Sequence, residues 1–199
     1  MTSAASRPLI LASSSRYRQA LLQRLGLPFT AVAPRIDEAA RPGERPAETA
    51  LRLAEAKARA VAVAHPDALV IGSDQVAEFS GEPLGKPRDR THALEQLRAM
   101  RGRTIVFHTG LALLNAGTGR CQTALVDVAS TFRSLDDAAL EAYLDREQPF
   151  DCAGSVKAEA LGITLFTRIA SDDPTALIGL PLIRLTDMLL AEGVSPLHP

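Results

Sequence analysis

Two runs of strand-forming residues, Thr104 to Leu114 and Cys121 to Phe132, flank the turn-rich segment Asn115-Ala116-Gly117-Thr118-Gly119, and this pairing constrains the fold more than any other feature. Runs of this length joined by such a turn-rich segment fold back as an antiparallel hairpin with a longish loop. The rest of the chain alternates short apolar runs with helical stretches, which separates further strands by helices. Leu9 to Ala12 reads as a buried strand leading into Ser13-Ser14-Ser15 and a helix that stops at Gly26. Ala47 to Ala64 is an Ala- and Leu-rich helix, and Leu69-Val70-Ile71 is a strand running into Gly72-Ser73-Asp74-Gln75. Hairpins and helix-separated strands together imply an α/β fold with a mixed central sheet.

The remaining punctuation completes the outline. Ser80-Gly81-Glu82 reads as a turn, and Thr91 to Met100 as a helix closed by Arg101-Gly102. Ser134-Leu135-Asp136-Asp137 has the form of a capping box opening a helix to about Arg146. Leu161 to Ile169 reads as a last strand, and Pro181 to Glu192 as a last helix with Gly193 past its end. At 199 residues, 46% of them hydrophobic, one domain suffices, with an ordered core from about residue 8 to residue 193 and fraying tails at Met1 to Arg7 and Val194 to Pro199.

Charge and cysteine content restrict the function. With 22 basic and 23 acidic residues the chain lacks the broad cationic field that neutralises a nucleic-acid backbone, so no nucleic-acid partner is expected. Apolar runs fall short of a signal core or a membrane span, so no membrane partner is expected either. Cys121 and Cys152 have no CxxC spacing, which fits a reducing cytoplasm.

The chemistry-bearing residues fall into separate short segments, each with a plain alternative. Ser13 to Arg18 sits at a strand-to-helix junction, where free N–H groups, the hydroxyls of Ser13 and Ser15 and the Arg18 guanidinium suit an anion; alone, it is equally an N-cap serine followed by solvated arginines. Asp37-Glu38 precedes a Pro-rich loop, and Asp74 is expected at a strand end, where carboxylates suit a hard divalent cation; Asp37-Glu38 is equally a solvated loop. Lys57 lies four residues from both Leu53 and Val61 and so shares an apolar helix face, aimed inward or snorkelling at the core edge. Lys86 in Gly85-Lys86-Pro87 is a lysine on a stiff loop, and Ala153-Gly154-Ser155-Val156-Lys157-Ala158-Glu159 a charged small-residue loop. His65, His92, His108 and His198 are scattered and take no catalytic role.

Taken together and in order, Leu11-Ala12-Ser13-Ser14-Ser15 with Arg18, Asp37-Glu38, Leu53-Ala54 with Lys57-Ala58, Gly72-Ser73-Asp74, Gly85-Lys86-Pro87, Ala153-Gly154-Ser155 and Gly179-Leu180-Pro181-Leu182 resemble the Maf family of nucleoside triphosphate pyrophosphatases from about Leu9 to Gly193. The resemblance implies an inosine-triphosphatase-like fold with two lobes and a central cleft, a divalent cation (Mg²⁺ or Mn²⁺), a homodimer, and cleavage to a nucleoside monophosphate and pyrophosphate. It makes Asp74 the catalytic base and a metal ligand with Glu38, and places Ser13, Ser15, Arg18, Lys57, Lys86 and Lys157 around the triphosphate. Tyr17, Gln75 and Glu159 match the subgroup that hydrolyses 7-methyl-GTP, whereas members acting on dTTP and UTP tend to carry Arg, Thr and Gln there. Arg16 departs from the Pro that relatives often carry. Tyr17 is expected to attract the cationic methylated ring and Glu159 to accept hydrogen bonds from the guanine N1–H and amino group. Pyrophosphatases for other noncanonical or pyrimidine nucleotides, and a nucleotide-binding regulator of cell division or septum formation, are the competing expectations.

Overall fold

The computed structural model describes residues 7–198. The fraying expected of the two tails therefore lies in part outside the described residues. Seven strands form one mixed sheet in the order β2-β1-β3-β5-β6-β7, with β4 paired to the same side of β3 as β1. They are β1 (Leu9–Leu11), β2 (Thr30–Ala31), β3 (Leu69–Phe79), β4 (Glu82–Leu84), β5 (Thr104–Asn115), β6 (Cys121–Phe132) and β7 (Phe166–Ala170). β1 runs parallel to β2 and β3, and the remaining pairs are antiparallel. The helices are α1 (Arg16–Gln23), α2 (Pro46–Ala62), α3 (Arg90–Met100), α4 (Asp137–Glu147) and α5 (Leu182–Ala191).

The α/β reading with a mixed sheet holds, and the expected hairpin is β5-β6, paired from Thr104↔Thr131 to Leu114↔Cys121. Side chains alternate across this sheet, so each strand feeds two layers. On one face Ile10, Val70, Ala112 and Leu114 meet Ala54, Ala58 and Val61 of α2. On the other, Leu9, Leu11, Ile71 and Leu111 pack against Leu21 and Leu22 of α1 and Leu185 and Leu189 of α5. Further along that face, Ile105, Phe107 and Val128 pack against Leu94 and Leu97 of α3 and Leu140 and Leu144 of α4. A polar seam divides these last two clusters: the Ser73 hydroxyl bridges the Gly110 and Gly179 carbonyls, and the Gln75 amide donates to Thr109 Oγ1 and the Ala176 and Leu177 carbonyls.

Several local expectations are corrected. Gly72 to Gln75 is not the exit from a strand; β3 continues through it to Phe79, because β5 pairs with it over its whole length. The Ser80-Gly81 turn, with φ of 55° and 87°, belongs to a hairpin whose short second strand, β4, has too few residues to show a pattern. Asp136, not Ser134, caps α4 by accepting the Ala139 N–H. Leu161–Leu165 is a 3-10 segment rather than strand: Glu147 accepts the Leu161 N–H, and Gly162 lies so close to Lys157 that a Cβ would sit 2.4 Å from its carbonyl oxygen. α1 ends at Gln23, with Gly26 following at a φ of 67° after one looser turn.

Candidate active site

A break in the sheet creates the cleft. β1 accompanies β3 only as far as Ile71 and β4 joins it only from Ala77, so Gly72 to Val76 has β5 on one side and no strand on the other. Into this gap face residues 12–18 at the start of α1, the inner side of α2, the loop at Gly85 and Lys86, and the turn at Asp151 and Ala153. The hollow they enclose measures about 680 Å³, within the ~300–1,000 Å³ range of small-molecule sites.

Asp74 stands in the middle of that gap, 7% exposed, and Lys57 of α2 reaches it at 2.6 Å. The same ammonium lies 3.0 Å from Glu38. Two glycines make this meeting possible. A Cβ on Gly72 would sit 2.0 Å from the Ala54 carbonyl oxygen, and one on Gly110, which pairs with Asp74, would sit 2.2 Å from that of Ala50. α2 therefore rests directly on backbone, and its inward lysine falls on the carboxylate of β3. Lys57 is buried among apolar neighbours as its helix face suggested, and it ends in an ion pair rather than reaching water.

The start of α1 supplies the anion-binding features. Ser13 is buried and its hydroxyl accepts the Ser15 N–H, while the Ser15 hydroxyl caps the helix at the Arg18 N–H. Arg18 is fixed through Nε to the Gly179 carbonyl at 2.8 Å. Burial lowers the pKa of its guanidinium, and Asp74 and Glu38 act in the opposite direction, which places all three in one electrostatic neighbourhood. Lys86 lines the cleft from an exposed loop position.

Other expected residues are not brought in. Asp37 accepts the Ala39 N–H in a local turn, so of the neighbouring acids Glu38 is the one that lines the cleft. Lys157 does not line it: its ammonium donates to the Glu147 carbonyl at 2.8 Å and pairs with the Glu147 carboxylate at 3.4 Å. Glu159 is exposed outside the lining, its carboxyl raised above the ordinary range mainly by loss of surrounding water. Tyr17 and Gln75 do line the cleft, but the Gln75 amide nitrogen is already committed to the seam.

Three residues were given no role by the sequence reading. Thr49 and Ser73 carry no pattern of their own; Thr49 lines the cleft and Ser73 ties its floor to Gly179. Asp151 lines the cleft opposite α1 and accepts the Tyr17 hydroxyl at 3.2 Å; its only hint was its place two residues before Ala153-Gly154-Ser155. The histidines do take structural partners: His108 is buried between Asp127 and Glu78 at 2.7 and 3.0 Å.

A cleft in a mixed sheet, lined by clustered hydroxyls, cations and a carboxylate pair, defines an α/β protein with a site suited to an anionic ligand, and the chain belongs to the Maf-like protein family, whose sequence model matches residues 8–192. It is 58% identical over 192 residues to the 7-methyl-GTP pyrophosphatase of Thiobacillus denitrificans, covering 96% of each chain. It is 59% identical over 182 residues to the protein of that name from Ralstonia nicotianae (92% of this chain, 94% of that one). The corresponding figure for the Bordetella pertussis protein of the same name is 56% over 193 residues, 96% of each.

Proposed function

We propose that this protein hydrolyses 7-methyl-GTP to 7-methyl-GMP and pyrophosphate, removing a modified nucleotide from the pool. One observation carries the reading: Asp74, buried in the gap of the sheet, is held by Lys57 with Glu38 beside it, and Arg18, Ser13, Ser15 and Lys86 surround the same hollow. The high identity of relatives bearing that activity in their names supports the choice of substrate.

The residues fit a divalent cation. Glu38 and Asp74 already share one cationic group, which marks a point both carboxylates reach. Both are hard oxygen donors, and Mg²⁺ needs only one or two carboxylates when waters and phosphate oxygens complete its shell. Among the described residues no cluster of three or more His, Cys, Asp or Glu forms a ready cage, so the donor set suits a cation that arrives with its nucleotide. When bound, Mg²⁺ or Mn²⁺ supplies charge neutralisation and a more acidic water.

The chain's own residues do the rest. Ser13, Ser15 and the start of α1 cradle phosphate oxygens. Arg18, pinned at Gly179, presents fixed donors, Lys57 adds a buried charge and Lys86 an exposed one. Asp74 orients the attacking water and takes its proton. The new bond forms at the α phosphorus, the α–β bridge breaks, and pyrophosphate departs.

The test is incubation with 7-methyl-GTP, GTP, dTTP and UTP plus Mg²⁺, scoring pyrophosphate separately from orthophosphate, with a chelator arm. Pyrophosphate from 7-methyl-GTP, lost on chelation, is expected; orthophosphate alone, or a preference for dTTP and UTP, overturns the assignment. A cytoplasmic homodimer belongs to the same reading. Two free cysteines support the compartment, and no helix among the described residues is long and apolar enough to cross a membrane.

A further inference from the structure

In the cleft lining Arg16, Tyr17 and Asp151 form one contact cluster. The Arg16 guanidinium lies over the Tyr17 ring, 4.9 Å from its centroid, donates to the Tyr17 hydroxyl at 2.7 Å, and stands 3.6 Å from the Asp151 carboxylate. The Tyr17 hydroxyl in turn donates to Asp151 at 3.2 Å, and the Cys152 thiol donates to its other oxygen at 3.4 Å. A flat, delocalised cation thus lies over an aromatic ring and beside the carboxylate that the same ring's hydroxyl contacts. Nothing buried holds it there: the Arg16 side chain is 72% exposed.

We infer that the Tyr17–Asp151 pair is a slot for the cationic, N7-alkylated purine ring of the substrate, with Asp151 as a specificity-determining residue and Arg16 as the group the base displaces. This rests on the proposed function and deepens it. Both partners reward positive charge in the ring, the aromatic face through its quadrupole and the carboxylate through direct attraction. Neutral guanine, which has the same ring system without the N7 methyl group, offers neither partner a charge. The other cleft carboxylates, Glu38 and Asp74, are engaged by Lys57, which leaves Asp151 as the acid beside Tyr17. Its carboxyl is held below the ordinary range despite partial burial, through the Cys152 thiol, Lys157 and the Tyr17 hydroxyl. Glu159, outside the lining, is not placed for this contact.

Exposed ion pairs contribute little, and a nucleotide seated over Asp151 removes the water that makes them weak. Asp151→Asn, which keeps the shape and the hydrogen bond from Tyr17, is expected to lower the ratio of kcat/KM for 7-methyl-GTP over GTP about tenfold, about 1.4 kcal/mol. Arg16→Ala, which removes the displaced group, is expected to hold or raise that ratio. Because both substrates are measured on one preparation, loss of folded protein cancels. An unchanged ratio in Asp151→Asn, a parallel fall for both nucleotides, or a ratio that falls in Arg16→Ala overturns the slot. If the parent protein itself shows no preference for 7-methyl-GTP over GTP, the function reading fails first and takes the slot with it, an outcome distinct from a parent preference that survives Asp151→Asn.

Discussion

Gly110→Ala tests whether the closeness of α2 to the sheet builds the site. The added Cβ meets the Ala50 carbonyl oxygen at 2.2 Å and the Leu51 nitrogen at 2.8 Å, against an ordinary contact of 3.4 Å or more. Both obstacles are backbone, so no rotamer change relieves them, and α2 must retreat by about 1 Å. Overpacking of this kind costs about 1–3 kcal/mol, and backbone obstruction places it at the upper end. The stiffer unfolded chain returns about 0.4–1 kcal/mol. The net loss of about 2 kcal/mol lowers Tm by about 4–8 °C for a chain of this size. Lys57 rides on the same helix, so a 1 Å retreat stretches its 2.6 Å contact with Asp74 past hydrogen-bonding range. Activity should therefore fall by more than the unfolded fraction accounts for. Thermal melts and pyrophosphate release at 25 °C, with Gly117→Ala as control, measure both effects; there the nearest atom to a Cβ is 3.6 Å away. A Gly110→Ala protein that melts with the parent and turns over at its rate refutes the close-approach argument.

Asp74→Asn should lower turnover at least ~100-fold, the low end for a general base, while nucleotide still binds, as titration calorimetry would register; near-normal turnover removes Asp74 from the mechanism. Lys86→Ala and Lys157→Ala should separate cleanly: the first raises KM about tenfold, whereas the second leaves KM alone and costs about 1–3 kcal/mol by stranding Glu147, read by steady-state kinetics and urea melts. Equal KM effects from the two lysines contradict their placement. Glu44, hydrogen-bonded by Arg52, the Arg41 N–H and Thr49, has its carboxyl pushed down from an ordinary value near 4.5 to about 2. Its folded pKa being depressed, its contribution is complete above about pH 4.5 and fades as pH falls through about 2; Glu44→Gln should flatten that part of the stability-versus-pH curve, and an unaltered acid limb rejects the assignment.

What the sequence disclosed followed from periodicity. Lys57 was legible because Leu53 and Val61 fix its face of α2, and β5-β6 because each strand is long enough to declare itself around an obvious turn. What stayed hidden depends on which element stops beside which. Asp74 looked like a strand-end residue because Gly72-Ser73 follow the apolar run Leu69-Val70-Ile71; the strand in fact continues, held by β5, and β1 ends beside it, so the opening lies alongside Asp74. Lys157 and Glu159 looked like site residues because the small-residue loop before them is one. Lys157 is drawn from the cleft by Glu147, on α4, with which it has no sequence relation, and Glu159 lies outside the lining. Asp151 was silent for the converse reason, since Tyr17 and Arg16, far away in sequence, show what it faces.

The ion pairs also explain how a chain of net charge −1 can receive a polyanion. Opposite charges held 2.6 to 3.6 Å apart largely cancel at a distance, so Arg16 with Asp151, and Lys57 and the nearby Arg18 with Glu38 and Asp74, project little field into solvent. Inside the cleft each becomes available by exchange of partners. In the proposed reaction a nucleotide bringing its own cation would offer Glu38 and Asp74 a new counterion and Lys57 a phosphate, while in the proposed slot a cationic base would offer Asp151 a replacement for Arg16. Both exchanges conserve charge in a partly dry space, where an unpaired charge is costly. A neutral base completes only the first. Discrimination between the methylated and unmethylated nucleotide thus needs no difference in shape, only a carboxylate whose resident partner leaves more readily for another cation than for none.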